Sequence, residues 1–303
     1  VLVAVYGAGE ALFMPAFSAI VPDVVSRDLL IEANSLENLV RPIAIRIVGP
    51  AIGGVTVSAW GPGEAFVIDA ATFAVSGVAV LLMVPHPVES KGKATLSTAV
   101  AEIAEGFRFI RSRTWLWAGL AATAIGLLAF SGPWQVLVPF VVRNQMGGDA
   151  GDFALVLGAA GAGAIVASTV VGSRSIPRGP IVYIFGTWSI GTLLLAAMAP
   201  ASSVWQAATV AFFILGLVTA GQIVWSTLQQ TLVPRELLGR VASVDWFVST
   251  SLIPVSFIVV GPLAEGVGAD VALVGAGVLG AAGFIVFLLI PGTHDLTAVR
   301  GIE

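Results

Sequence analysis

The sequence predicts an all-α polytopic membrane protein, on three observations. Of its 303 residues, 57% are hydrophobic and only 11% are charged, where soluble domains run at about 45–50% apolar and about 25% charged. The apolar residues form long continuous runs and not the alternating pattern of barrel strands. The Lys and Arg residues gather in alternate linkers. The 35 glycines and 8 tryptophans fit this class, as small residues for helix contacts and as rings for the membrane interface. There is no cysteine, which excludes disulfides and thiolate metal sites. The two histidines, His86 and His294, sit at segment ends, so neither a metal nor a cofactor is expected.

Nine apolar spans follow in order, at 1–25, 34–60, 64–84, 115–142, 151–173, 180–198, 204–232, 240–267 and 270–290. Each is near or above the ~20 residues that cross ~30 Å of hydrocarbon. The first opens at Val1 with no charged segment before it, which is not a signal peptide and predicts a chain cut inside a span. The second carries Arg41 and Arg46, costly inside an apolar helix and usual only toward a polar interior. Short turns such as Gly61-Pro62-Gly63 and Pro200-Ala201-Ser202 separate most of the rest. The exception is the linker from Pro85 to Thr114, where Leu96, Val100, Ile103, Phe107 and Ile110 recur at helical spacing. Arg108, Arg111 and Arg113 lie beside that face, so this segment reads as an amphipathic helix on the membrane surface.

Charge sets the orientation. Arg27, Lys91, Lys93, Arg108, Arg111, Arg113, Arg174, Arg178, Arg235, Arg240 and Arg300 share one side, and the other holds Arg143. The positive-inside rule makes the crowded side cytoplasmic, with the C-terminus. The localisation expected is a cell membrane, multi-pass.

One helix pair occurs twice. Val25-Ser26-Arg27-Asp28-Leu29-Leu30 matches Val233-Pro234-Arg235-Glu236-Leu237-Leu238, Ser35 and Glu37 align with Ser243 and Asp245, and Gly49-Pro50 pairs with Gly261-Pro262 across a small gap. Parallel repeats of this kind build the two halves of one transporter superfamily. Counted from Trp115, three spans precede the second copy's own pair and none precedes the first, so symmetry predicts about three helices upstream. With Gly49-Pro50-Ala51-Ile52-Gly53-Gly54 and the runs Ala65-Phe66-Val67-Ile68-Asp69-Ala70, Phe13-Met14-Pro15-Ala16 and Ile31-Glu32-Ala33-Asn34-Ser35-Leu36, the chain resembles the major facilitator superfamily. The glycine run looks like the helix-five signature of its antiporters, and the other runs are similar to the enterobactin-exporter and macrolide-efflux branch. The resemblance implies two parallel six-helix repeats with the first three helices missing. Residues 1–85 would be helices four to six, 86–114 a cytoplasmic linker, 115–292 helices seven to twelve and 293–303 a tail. It also implies proton-driven export of a small amphipathic compound, such as a drug, macrolide or siderophore.

Several residues are singled out for chemistry. Glu10 lies about 18 Å along its helix from Pro22, and Arg46 the same distance from Asn34. Both therefore sit near mid-depth and are expected to face each other, either as a proton site, where a carboxylate exchanging an arginine partner takes up or releases a proton, or as a static ion pair that holds two helices together. Asp69, about 8 Å from the outer end of its span, is a second proton or amine site, or a packing hydrogen bond. The resemblance gives the helix-eleven acid a gate role. Asp245 would pair with the upstream basic loop and Glu37 with Arg174 or Arg178, unless Glu37 takes Arg41 four residues on. Gly49, Pro50, Gly53 and Gly54 carry the antiporter motif, with a bend at Pro50 or close packing as its purpose. Trp134, Gln135, Gln222, Trp225 and Gln229 combine aromatic faces with amides and are the candidate substrate pocket. Gly158, Gly161, Gly163, Gly275, Gly277, Gly280 and Gly283 read as helix-packing positions. The partners expected are a small-molecule substrate, protons and the bilayer, with no nucleic acid, for a monomer. The competing readings are an uptake symporter of the same fold, a non-transporting fragment and, least supported, a membrane enzyme.

Overall fold

The computed structural model describes residues 9, 13, 16–44, 48–82 and 96–296, and the regular structure among them is helical. Among the described residues, seven helices are long and apolar enough to cross a membrane: Pro62–Leu81, Thr114–Asn144, Gly151–Gly172, Pro180–Met198, Val204–Leu232, Arg235–Val267 and Ala269–Leu288. They correspond to the third through ninth predicted spans. The eighth begins at Arg235 and not at Arg240, because Pro234 is extended and the helix starts directly after it. The first two predicted spans include residues outside the described set, and Glu10 and Arg46 are among those.

Contacts divide the chain into a unit of residues 1–36 and 94–303 and a second of residues 37–93. In chain order the helices are 16–24 (α1), Leu30–Ile43 (α2), Gly49–Trp60 (α3), Pro62–Leu81 (α4), Leu96–Ser112 (α5), Thr114–Gly132 (α6), Val138–Asn144 (α7), Ala150–Gly172 (α8), Pro180–Leu193 (α9), Val204–Leu232 (α10), Arg235–Ser251 (α11), Ile253–Val267 (α12) and Ala269–Leu288 (α13).

The first unit holds α1, the start of α2, and α5 to α13. Its apolar core has two parts. One, toward the end that carries Arg174, Arg235 and Arg240, gathers Trp115, Trp188, Trp225 and Phe284. The other gathers Leu137, Val156, Met198, Ile214 and Leu273. The closest crossing is that of α8 with α10. A Cβ on Gly163 would lie 1.9 Å from the Phe212 carbonyl oxygen, and one on Gly216 would lie 3.2 Å from the Gly163 carbonyl oxygen. Small residues permit such backbone approach in lipid. Gly277, Gly280 and Gly283 likewise meet Ala196, Thr192 and Ile125 within 3.0 Å. Gly158, Gly161 and Gly275 face open space, so the packing role expected for them is not what these positions show.

A five-residue π-helical turn, Pro133–Leu137, joins α6 to α7. Proline has no N–H to give, which widens the ladder here. Ser256 closes it: Gly132 N–H donates to Ser256 Oγ at 2.7 Å, and that hydroxyl donates to the Leu128 carbonyl at 2.6 Å. The helix expected in the 85–114 linker is present as α5. Its apolar residues divide, with Ile110 buried in the core and Phe107 exposed. Leu96, Val100 and Ile103 have side chains outside the described set. Glu105 pairs with Arg240 of α11, which docks α5 to the bundle.

In the second unit, α4 presents large apolar side chains outward, Phe66 and Leu81 among them, and buries none of its length against the rest of the chain. The turn into α4 runs through Gly61 at φ 98°, and the turn into α13 runs through Gly268 at φ 88°. These two left-handed glycines mark the same place in each repeat. They fix a register in which Gly61 comes twelve residues after Gly49 but Gly268 only seven after Gly261. The pairing of Gly49-Pro50 with Gly261-Pro262 is therefore displaced, and Gly49-Pro50 corresponds instead to Ser256-Phe257. Pro50 stands in the first turn of α3. Gly49 is needed locally, since a Cβ there would lie 2.9 Å from the Ala44 carbonyl oxygen. A Cβ on Gly53 meets nothing within 4 Å, so close packing does not account for it.

Candidate functional site

Two polar clusters interrupt the apolar core of the first unit. The first centres on Asp245 of α11. Gln229 Nε2 and Trp225 Nε1, both from α10, donate to Asp245 Oδ2 at 2.8 and 3.2 Å, and Ser249 Oγ donates to Oδ1 at 3.2 Å. Two residues expected in the pocket and one expected at the gate thus share one hydrogen-bonded group. The Trp225 ring itself is core. It packs edge-on against Trp115 and Trp188, each 5.9 Å away, over Gly119, where a Cβ would approach the ring to 2.3 Å. Only the indole N–H reaches the polar cluster. Gln222 lies apart, donating to Ser226 at 3.2 Å.

The second cluster joins α1 and the start of α2 to α8, α10 and α11, all at the arginine-rich end. Asn34 Nδ2 donates to Gln230 Oε1 at 2.7 Å, to Thr227 Oγ1 at 3.1 Å and to the Leu30 carbonyl at 2.8 Å. Gln230 Nε2 donates to the Ser18 carbonyl at 3.2 Å. Arg235 donates to the Pro22 carbonyl at 3.2 Å and lies 3.5 Å from the Asp23 carboxylate. Asn34 and Gln230 are almost fully buried, so their amides need these partners. Close contacts flank them. A Cβ on Gly239 would lie 3.8 Å from the Ala19 Cβ, and one on Gly172 would lie 2.7 Å from the Ser35 Cβ. Ile31 fills the adjoining core.

The remaining candidates are placed as follows. Trp134 and Gln135 stand in the π-helical turn, Trp134 stacked on Phe130 with centroids 5.7 Å apart and Gln135 exposed. Glu37 takes the local partner, with Arg41 at 3.4 Å. Arg174 and Arg178 are exposed in the loop between α8 and α9. Asp69 is exposed on α4, and its backbone carbonyl accepts from Thr72 Oγ1 at 2.7 Å. Neither Asn34 nor Gln230 was expected in a site. The sequence signal for Gln230 is a second polar strip on the seventh span: Gln222, Ser226 and Gln229 recur at four and three, and Thr227 and Gln230 share a face one residue on.

Apolar spanning helices, with buried polar contacts joining α2 to α10, define a multi-pass membrane protein. The sequence matches the MFS-type family described as transmembrane secretion effector over residues 1–296, and the chain belongs to that family, within the major facilitator superfamily of transporters. It is 25% identical over 289 residues to the uncharacterized MFS-type transporter YfiS of Bacillus subtilis, covering 92% of this chain and 68% of that protein. It is 25% identical over 264 residues to the multidrug efflux pump Tap of Mycolicibacterium fortuitum, covering 84% and 62%. A third relative, the uncharacterized MFS-type transporter YvqJ of Bacillus subtilis, is 24% identical over 187 residues, covering 60% and 44%. The chain thus spans between 44% and 68% of the length of these relatives.

Proposed function

We propose that this chain belongs to a proton-coupled exporter of small amphipathic molecules that works by alternating access. The observation that carries the reading is the clasp of Asn34, Gln230, Ser18, Arg235 and Asp23. It ties first-repeat segments to second-half helices at one end, through short polar contacts set beside the apolar contacts of Ile31 and Ala19. Contacts of that kind can be exchanged for water when the end opens, since a typical hydrogen bond contributes only about 0.5–1.5 kcal/mol net. By the positive-inside rule the clasped end is cytoplasmic, in a cell membrane. The name of the relative Tap supports efflux as the direction. The stacked Phe130 and Trp134, with Gln135 exposed beside them, offer an apolar face and an amide to a substrate.

Proton coupling is assigned to Glu10 and Arg46, with Asp69 as the further intramembrane carboxylate. In the full-length protein reconstituted in liposomes, Glu10→Gln should abolish export driven by an imposed pH gradient. Counterflow of a labelled drug, which needs no proton, should persist. Unchanged gradient-driven export at every pH contradicts the carrier role. Accumulation of the compound on the side expected to lose it would make the protein an uptake symporter.

A further inference from the structure

The loop between α8 and α9 borders a cavity of about 580 Å³ lined by Val170, Val171, Arg174, Ser175, Ile176, Pro177, Arg178 and Tyr183. Its lining combines two chemistries: the guanidiniums of Arg174 and Arg178 with the Ser175 and Tyr183 hydroxyls, and the apolar Val170, Val171, Ile176 and Pro177. Val166, one turn before Val170 on α8, and Val182 of α9 are also exposed apolar side chains. Within the unit of residues 1–36 and 94–303, no carboxylate of a described residue lies within ion-pair reach of Arg174 or Arg178. The loop runs into α9, a 14-residue helix that starts at Pro180 with no side-chain cap, so its positive end faces the same loop. The cluster stands at the arginine-rich boundary of the membrane-crossing segments, where headgroups lie.

We propose that this cavity binds the phosphate headgroup of an anionic phospholipid. The guanidiniums take the phosphate, in the forked geometry that suits arginine. Tyr183 and Ser175 donate to its remaining oxygens, and the acyl chains lie along the valines of α8 and α9. A free phosphate would satisfy the polar lining residues alone and leave Val170, Ile176 and Pro177 in contact with water, which is why the lipid is the occupant. Basic pockets between spanning helices on the cytoplasmic side suit such headgroups. The site rests on membrane placement and not on transport direction or proton coupling, so it stands or falls apart from the exporter reading.

The test is native mass spectrometry of the full-length protein released from nanodiscs containing phosphatidylglycerol, phosphatidylethanolamine or phosphatidylcholine. Wild type should retain phosphatidylglycerol selectively. Arg174→Gln with Arg178→Gln should reduce that retention by about tenfold to thirtyfold, from roughly 1 kcal/mol per arginine at the surface. Arg143→Gln, at the opposite end, should leave it unchanged, and circular dichroism should show all variants equally helical. Equal retention by the double variant, or equal retention of phosphatidylcholine, overturns the proposal. So does full displacement of the lipid by millimolar inorganic phosphate, which would make this a soluble-anion site.

Discussion

Gly163→Ala should be the most damaging glycine-to-alanine change among the described residues. The added carbon would fall 1.9 Å from the Phe212 carbonyl oxygen, and that oxygen belongs to the α10 backbone, so no rotamer change relieves it. α8 and α10 must separate along their crossing, which also opens the contact at Gly216. Overpacking a core typically costs about 1–3 kcal/mol, and a backbone clash belongs at or above the top of that range. Gly161→Ala, two residues away, points into open space. It should be neutral or stabilising by up to about 1 kcal/mol, because alanine is the better helix former. Thermal unfolding of the two variants in detergent separates the cases. A Gly163→Ala protein as stable as wild type would mean that the helices do not cross this closely.

The second large effect is expected at Asn34. In Asn34→Leu, Gln230 Oε1 loses its donor, and burying an unsatisfied polar group costs about 1–3 kcal/mol. Because the clasp joins α2 to α10, that cost should fall on the closed form of the arginine-rich end and not on the helices themselves. A change of about 1.4 kcal/mol is tenfold in an equilibrium constant, so the balance between closed and open forms should move by about fivefold to a hundredfold. Hydrogen exchange should rise in residues 18–35 and at 227–235 while α8 and α13 stay protected. Export should fall several-fold. Exchange unchanged in both segments would show that Asn34 is an ordinary buried amide with no part in closure.

How much of this was legible in the sequence depends on the period of the signal. Spanning helices announce themselves through long apolar runs, and seven of them stand where the runs stand. The repeat was legible through its charged lead, Arg27-Asp28 and Arg235-Glu236. Its later register was not, because a Gly-Pro pair recurs for unrelated local reasons. The positive-φ turns at Gly61 and Gly268 carry the true register, and φ is invisible in a one-letter code. The glycines behaved similarly. Gly161 and Gly163 sit two residues apart in the same helix and read alike, yet one faces a carbonyl and the other faces nothing. Composition gives the candidates, and only helix azimuth decides between them. The polar residues of the seventh span divide for the same reason. Gln229 turns to Asp245 and Gln230 to Asn34, although they are neighbours in sequence. Trp225, chosen for a pocket because it is aromatic, is held in the core by Trp115 and Trp188, with its N–H spent on Asp245.

The central claim is that the arginine-rich end shuts through this clasp and must open again for transport. The given sequence has no cysteine, so with any cysteine elsewhere in the full-length protein replaced by serine, an introduced pair reports cleanly. Ala19→Cys with Gly239→Cys places two Cβ atoms about 3.8 Å apart, the usual separation in a disulfide. Oxidation of this variant in the full-length protein should cross-link it in high yield and stop transport of a labelled substrate, and a reductant should restore the rate. Transport continuing at the unmodified rate with the disulfide in place would contradict the account.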